Sequence, residues 1–334
     1  MMPSVLAEVL TSTQWLGAVA AGLCYAGAVL GVFLTFRILA FPDLTIEGSF
    51  PLGAGVAALF LVQGWSQWLS LIPAFVMGAL AGMLTAWLAT RLRINGLLAS
   101  IIVALGLYSI NLRLLGLGTS AHTPTANLPI PVLGAPSVER GVQPWLAGLA
   151  GRCLAPGACI NDAYVTYLAQ TLVFLMIAAV LVGLLYWLLN TEFGLALRAV
   201  GDNEQMVRAQ GTSVPQLKLL GLALSNGLIA LSGALIVARF GYAEVNLGRG
   251  LIIIGLAAVI IGEVLVGARG LLSALIGVVV GSVVYRLCIT LALNHTRSIG
   301  LQETDLQLLT AAIVVVALAL PQLRRWIIPR RGLA

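Results

Sequence analysis

The stretch "FRILAFPDLTIEGSFPLGAG" (Phe36–Gly55) sets an arginine, an aspartate and a glutamate between two strongly apolar runs. Ionisable side chains at such a place are expensive and mark function by default. Pro42 removes a backbone donor and prevents regular helical bonding behind it, while Gly48 and Gly53 allow tight turns and close packing. Asp43, Thr45 and Ser49 are residue types that cap the freed N–H groups of a restarting helix. Glu47 falls in the first turn of that helix, where a negative charge meets the positive end of the dipole. Non-helical backbone at membrane depth is tolerated only where protein or a water-filled cavity satisfies its polar groups. Two readings therefore stand together: these residues cap a half-helix, and the half-helix lines a solute path.

The composition around this stretch sets the class. Of 334 residues, 60% are apolar and 9% charged, with mean hydropathy +1.03, against about 25% charged in a soluble domain. The chain is expected to be an all-α polytopic membrane protein, one transmembrane domain over 1–334. The first thirty residues lack the basic n-region and small-residue cleavage site of a signal peptide. The net charge of +6 reads as membrane topology, because no basic stripe with interleaved aromatics points to nucleic acid. Cys24 and Cys288 lie in apolar runs. Cys153 and Cys159 share the polar loop "GRCLAPGACIND" (Gly151–Asp162) and are a candidate disulfide if that loop faces an oxidising compartment. Two cysteines without nearby histidines make a poor zinc site, so no metal is expected.

A helical span takes about 20 apolar residues, and the candidate spans are 15–36, 49–66, 70–90, 95–117, 164–189, 216–238, 251–266, 270–292 and 306–323. This gives eight or nine helices, two of them short. Each short one follows a polar break, the second being "GYAEVNLGRG" (Gly241–Gly250). Short segments in corresponding positions of two halves point to an internal repeat and a transport path. Asp43–Ser49 aligns with Glu244–Gly250, which makes Asp43, Thr45, Glu47, Ser49, Phe50, Glu244 and Asn246 the candidate path residues. Lys/Arg bias orients the chain. The tail "RRWIIPRRG" (Arg324–Gly332) is set in the cytoplasm, and counting back places the 191–215 loop inside and the 118–163 loop outside. The N-terminus then lies outside, unless 49–66 is re-entrant, and the two breaks are inverted.

The inner loop "TEFGLALRAVGDNEQMVRAQGTSVPQLKLLG" (Thr191–Gly221) concentrates charge in a chain nearly free of it. Asn203 can cap a short helix beginning near Glu204, and Gly211 can end it in the left-handed conformation. A mere connection between two helices needs only a few residues, so this segment reads as a docking element. "LRAVGDNEQMVRAQGTSVPQLK" resembles the cytoplasmic coupling loop of ABC-transporter permeases in the branched-chain amino acid and ribose importer superfamily. "FPDLTIEGSFPLGAG" resembles the break of the same superfamily, closest to a subgroup with Asp-Leu-Thr-x-x-Gly-Ser-Phe. "GLAAVIIGE" (Gly255–Glu263), followed by "GARGLLSALIGVVVGS", resembles its second-half signature, with Glu263 where glycine is commoner. The 118–163 loop has no family counterpart.

The resemblance implies the membrane subunit of an ATP-driven importer in a bacterial inner membrane. Arg198, Gly201, Asp202, Asn203, Glu204, Arg208, Ala209 and Gly211 would meet a separate ATPase. A binding protein would deliver an amino-acid-like solute, aromatic or branched-chain, to the outer face, and a second permease chain would complete the pore among membrane lipids. No cofactor is expected in this chain. A P-loop needs G-x-x-x-x-G-K-[ST], and the single lysine, Lys218, follows no glycine-rich turn. His122 and His295 form no triad or HExxH pattern, and Ser100, Ser225, Ser273 and Ser282 lack a GxSxG elbow. The alternative is a secondary transporter driven by an ion gradient, a class favoured by several carboxylates deep in spans, which are few here. Arg113 and Arg286 are expected to snorkel to the surface or to pair with a carboxylate facing the solute path, and Glu263 to pair with Arg269.

Overall fold

Helix α1 (Thr13–Phe33) is apolar along its length and buried on nearly every side, as a helix in the middle of a bundle must be. A π-helical turn, Leu34–Ile38, closes it, with the Leu39 N–H bonded to the Leu34 carbonyl at 2.9 Å. The computed structural model describes residues 13–119, 123–129, 153–155, 158–159, 162–267 and 270–296, with Val315. Past the break come α2 (Ile46–Val62), α3 (Gln67–Arg91) and α4 (Gly96–Leu117). Three short strands follow, β1 (Asn127–Pro129), β2 (Cys153–Ala155) and β3 (Ala158–Cys159), and then the long helix α5 (Asp162–Leu189). The inner segment forms α6 (Glu192–Asp202) and α7 (Glu204–Ala209), leading into α8 (Val214–Phe240). Strand β4 (Tyr242–Glu244), a 3-10 turn over Val245–Gly248, α9 (Leu251–Val266) and α10 (Leu271–Thr296) complete the described chain. Among the described residues, seven helices are long and apolar enough to cross a membrane, and Ile46–Val62 is a shorter apolar one. The all-helical polytopic architecture is as expected. The ninth expected span, 306–323, and the basic tail lie outside the described residues.

Packing between helices fixes their directions. Gly78 and Gly82 of α3 lie against the Ala230 side chain and the Asn226 and Leu222 carbonyls of α8, and Thr85 of α3 bonds Thr45. As α3 advances, α8 recedes, so the two are antiparallel. In α2, Ser49 meets Asn226, Gly53 meets Ala230, and Phe50 and Ala54 meet Gly233, so α2 and α8 run in parallel. Small residues at these crossings let the backbones approach closely, as helix pairs in lipid require.

These directions resolve the depth of the first break. Helix α1 ends against the inner segment, where the Ile38 carbonyl sits on Gly201. The chain then turns back, and Asp43 and Ser49 reach Asn226 near the middle of α8. Helix α2 thus starts inside the bundle and runs away from the inner segment. The second break mirrors it. From the far end of α8, β4 and the 3-10 turn lead back to Gly250, whose N–H bonds Glu47. Helix α9 starts there and runs toward the inner segment, where Glu263 meets Arg37. The two half-helices begin side by side and diverge in opposite directions, the inverted arrangement expected from the count of spans and the bias of basic residues. Thr13, at the start of α1, lies on the face opposite α6 and α7.

The strands were not foreseen. β1 pairs antiparallel with β4, setting Asn127 opposite Glu244, so part of the 118–163 loop is tied to the second break. β2 and β3 set the backbones of Cys153 and Cys159 opposite each other; the bond expected between their side chains lies outside what is described.

Candidate functional site

A fully buried knot of polar side chains holds the first break. Asp43, Thr45, Ser49, Thr85 and Asn226 are each 0% exposed. One Asp43 oxygen accepts the Thr45 N–H at 2.8 Å, and the other accepts the Asn226 Nδ2 donor at 2.7 Å. The Ser49 hydroxyl donates to Asn226 Oδ1 at 2.7 Å, and the Thr45 and Thr85 hydroxyls share a bond of 2.6 Å. Buried polar groups are costly unless each finds a partner, and here each does. The capping roles expected of Thr45 and Ser49 are therefore corrected. Thr45 is the N-cap residue but its side chain makes no cap bond, because Thr85 and Asn226 offer the two hydroxyls buried partners across the bundle. Asp43 braces the turn before the helix through Thr45 and ties it to α8.

Glu47 does lie in the first turn of α2, but its carboxylate serves the other half-helix. Its Oε1 accepts the Gly250 N–H at 3.0 Å, at the N-terminus of α9, where a negative charge complements the dipole. Gly250 needs its positive φ of 73° to start α9 there, and Gly248 lies so close to the Glu47 carbonyl that a Cβ would overlap it. Glu47 also lines a cavity of about 290 Å³ between α2, α4 and the second break, with Tyr108, Asn111 and Arg249. Asn111 donates to the Gly48 carbonyl at 3.1 Å, whereas its buried Oδ1 has no partner. Of the seven candidate path residues, Glu47 lines this cavity. Asp43, Thr45, Ser49 and Phe50 are enclosed behind it. Glu244 and Asn246 are half-buried and bonded to each other at 3.1 Å.

The inner segment is two helices where one was expected. Thr191 caps α6 through the Gly194 N–H at 3.3 Å, and Asn203 caps α7 through the Met206 N–H at 3.0 Å. Gly211 ends the segment with φ 81°, as its sequence position implied. Glu204 accepts from both Arg208 and Lys218, each at 2.6 Å. The Lys218 hydrogen bond, followed by the lysine's charge and the Arg208 partnership, holds the Glu204 carboxyl below its ordinary value against some burial. Leu197, Val200 and Val207 are buried in one apolar cluster with Leu34 of the π-helical turn, Ala86 of α3 and Leu217 and Leu222 of α8. Asp202, Asn203, Arg208, Ala209 and Gly211 face outward, and Arg198 and Gly201 are half-buried. Gly201 is the contact of consequence: a Cβ there would overlap the Ile38 carbonyl, so α6 rests on the turn that feeds the Asp43 break.

Two further expectations change. Glu263 pairs with Arg37 at 2.9 Å, 226 positions earlier; Arg269 lies outside the described residues, as does His122, and so does the His295 side chain. Arg113 is exposed, but Arg286 stacks over the Tyr25 ring at 4.0 Å instead of extending to the surface. Asn226, Thr85, Asn111, Tyr108 and Arg249 were missed. Asn226 and Asn111 carried a signal, each an amide within an apolar span, which calls for a partner in lipid. Among the described residues, no group of three or more His, Cys, Asp or Glu could hold a metal ion.

Comparison with known proteins adds the lineage. The family model for permease components of branched-chain amino acid transport systems matches residues 15–319. A tyrosine transport system permease protein of Clostridioides difficile (strain R20291) is 34% identical over 291 residues, covering 87% of this chain and 85% of that protein. An uncharacterized protein of Rickettsia prowazekii (strain Madrid E) is 28% identical, with 87% and 91% covered. The autoinducer 2 import system permease protein LsrC of Yersinia pseudotuberculosis (strain IP 31758) is 26% identical, with 77% and 62% covered. With the break, its inverted counterpart and nearly the whole length accounted for, this chain belongs to the family of branched-chain amino acid transport system permeases.

Proposed function

We propose that this permease is the membrane subunit of an ATP-driven importer for an amino-acid-like solute, with aromatic amino acids the first candidates. A separate ATPase docks on the outward face of α6 and α7 and supplies the ATP chemistry. An extracytoplasmic binding protein delivers solute to the opposite face, and a second permease chain completes the path. The observation that carries this reading is the seat of Gly201 on the Ile38 carbonyl. A push on the exposed segment reaches the foot of the Asp43 break through rigid, packed backbone.

The cavity supports the solute class. Glu47 and the unpartnered Asn111 oxygen suit an ammonium group, Arg249 suits a carboxylate, and Tyr108 offers a ring face. Its volume of about 290 Å³ matches the small end of ligand pockets, which start near about 300 Å³. The relative named as a tyrosine transport system permease favours the same class.

Reconstitution in proteoliposomes with the ATPase and binding protein tests the reading. Uptake of labelled tyrosine should require ATP and exceed that of an acidic amino acid. Uptake that persists without any ATPase and collapses with an ionophore would overturn it in favour of a secondary transporter.

A further inference from the structure

We propose that a cleft between the α3–α4 turn and the start of α8 receives an acidic side chain of the ATPase, with Arg93 as its main contact, a reading that rests on the docking of that ATPase on α6 and α7. The α3–α4 turn would then be a second point of attachment, on a different loop from the inner segment. The cleft holds about 640 Å³, and Arg93, Glu204, Arg208, Ser213 and Lys218 line it. Its place follows from the helix directions. Because α3 runs antiparallel to α8, Arg93, just past the end of α3, comes to lie beside α7.

The charges in this cleft do not balance. Arg208 and Lys218 both bond Glu204 at 2.6 Å, and among the described residues Glu204 is the one carboxylate lining the cleft. Arg93 is exposed, and among the described residues no ion pair engages it. Three cations thus face one anion that two of them already share. The start of α8 adds the positive end of a long helix dipole, and Ser213, at its N-cap, makes no side-chain cap bond there.

The backbone at Arg93 points the same way. Its φ of 55° lies in the left-handed region, which glycine enters freely and a larger side chain enters at a cost. A residue just past a helix end commonly takes that conformation, and glycine is the usual choice. Arginine strains this turn without gaining an ion pair among the described residues, so its side chain suits a partner from outside. Backbone outliers of this kind gather at functional sites, and a guanidinium fork matches the geometry of a carboxylate. A protein carboxylate is favoured over a lipid headgroup because Arg208 and Gly211, which form one wall, belong to the face on which the ATPase sits.

The test uses the ATPase that supports ATP-driven uptake in proteoliposomes. Its affinity for the full-length permease is measured in phosphatidylcholine nanodiscs with and without phosphatidylglycerol, and the thermal midpoint of each variant is read without ATPase. Arg93→Gly should keep a midpoint near that of wild type, because relief of the strained turn offsets the added freedom of the unfolded chain. Its affinity for the ATPase should nonetheless fall about tenfold, the equivalent of about 1.4 kcal/mol. Arg93→Gln should lose as much and Arg93→Lys less, since lysine keeps the charge without the fork. Added salt should weaken the wild type more steeply than Arg93→Gly. An ATPase that supports uptake yet binds Arg93→Gly and Arg93→Gln as tightly as wild type would overturn this proposal and leave the importer reading intact, whereas uptake that needs no ATPase would overturn both. An effect of Arg93 seen only with phosphatidylglycerol would assign the cleft to a lipid headgroup, and a midpoint several degrees lower in Arg93→Gly would make Arg93 a structural residue; either result also overturns the proposal.

Discussion

Replacing Asn226 with alanine tests whether the buried polar knot holds the first break in place. The Asn226 amide donates to Asp43 at 2.7 Å and accepts from Ser49 at 2.7 Å, with a third bond to the Leu222 carbonyl at 3.1 Å. Alanine leaves an Asp43 oxygen and the Ser49 hydroxyl in a site that is 0% exposed, where each orphaned group costs about 1–3 kcal/mol. The loss is therefore about 2–6 kcal/mol. At about 2–4 °C per kcal/mol for a chain of some hundreds of residues, the melting midpoint should fall by roughly 4–24 °C. Asp43→Asn gives the contrasting case. Its amide can face a flipped Asn226, which then donates to the Ser49 oxygen, so most partners are recovered. Its midpoint should fall by less than half as much. Melting is followed by tryptophan fluorescence in detergent, with gel filtration as the check on assembly. An Asn226→Ala protein that melts within about 1 °C of wild type, or an Asp43→Asn protein that falls further than Asn226→Ala, would refute the reasoning.

Glu47→Gln retains an oxygen for the Gly250 N–H but removes the charge from the cavity, so assembly should be normal while ATP-driven uptake falls about tenfold or more, the loss of one charge-assisted bond. Gly201→Val forces the Ile38 carbonyl away; the protein should insert and bind the ATPase while solute-stimulated ATP hydrolysis is lost, and normal stimulation would remove Gly201 from the coupling route. Glu204→Gln releases Lys218 and Arg208, with a cost of no more than about 1 kcal/mol because the pairs are partly exposed. Since the folded Glu204 carboxyl lies below its ordinary value, its contribution is full above that ordinary value and is lost as pH falls through the lowered one. The wild-type and Glu204→Gln midpoints should accordingly converge in acid and separate at neutral pH.

Local chemistry carried much of this protein. Among the described residues, hydropathy alone marked the spans, because a backbone in lipid must satisfy itself within a helix. Pro42 and the two short apolar runs marked the breaks, and Asn203 and Gly211 marked both ends of α7, since caps and left-handed turns are decided by a few adjacent residues. The inverted placement of the two breaks was also legible, from nine spans and the bias of basic residues. Partners were another matter. Asp43 with Asn226, Glu47 with Gly250 and Glu263 with Arg37 are 183, 203 and 226 positions apart. Helix α6 escaped notice because its residues also suit a solvated loop, and packing of Leu197 and Val200 with the π-helical turn and α8 is what settles it. A buried polar group takes whichever complementary group the fold brings within about 3 Å. Sequence alone could state that these charges needed partners; only the meeting of two half-helices inside the bundle decided which partners they have, and left Glu47 at the edge of a cavity with Asp43 sealed behind it.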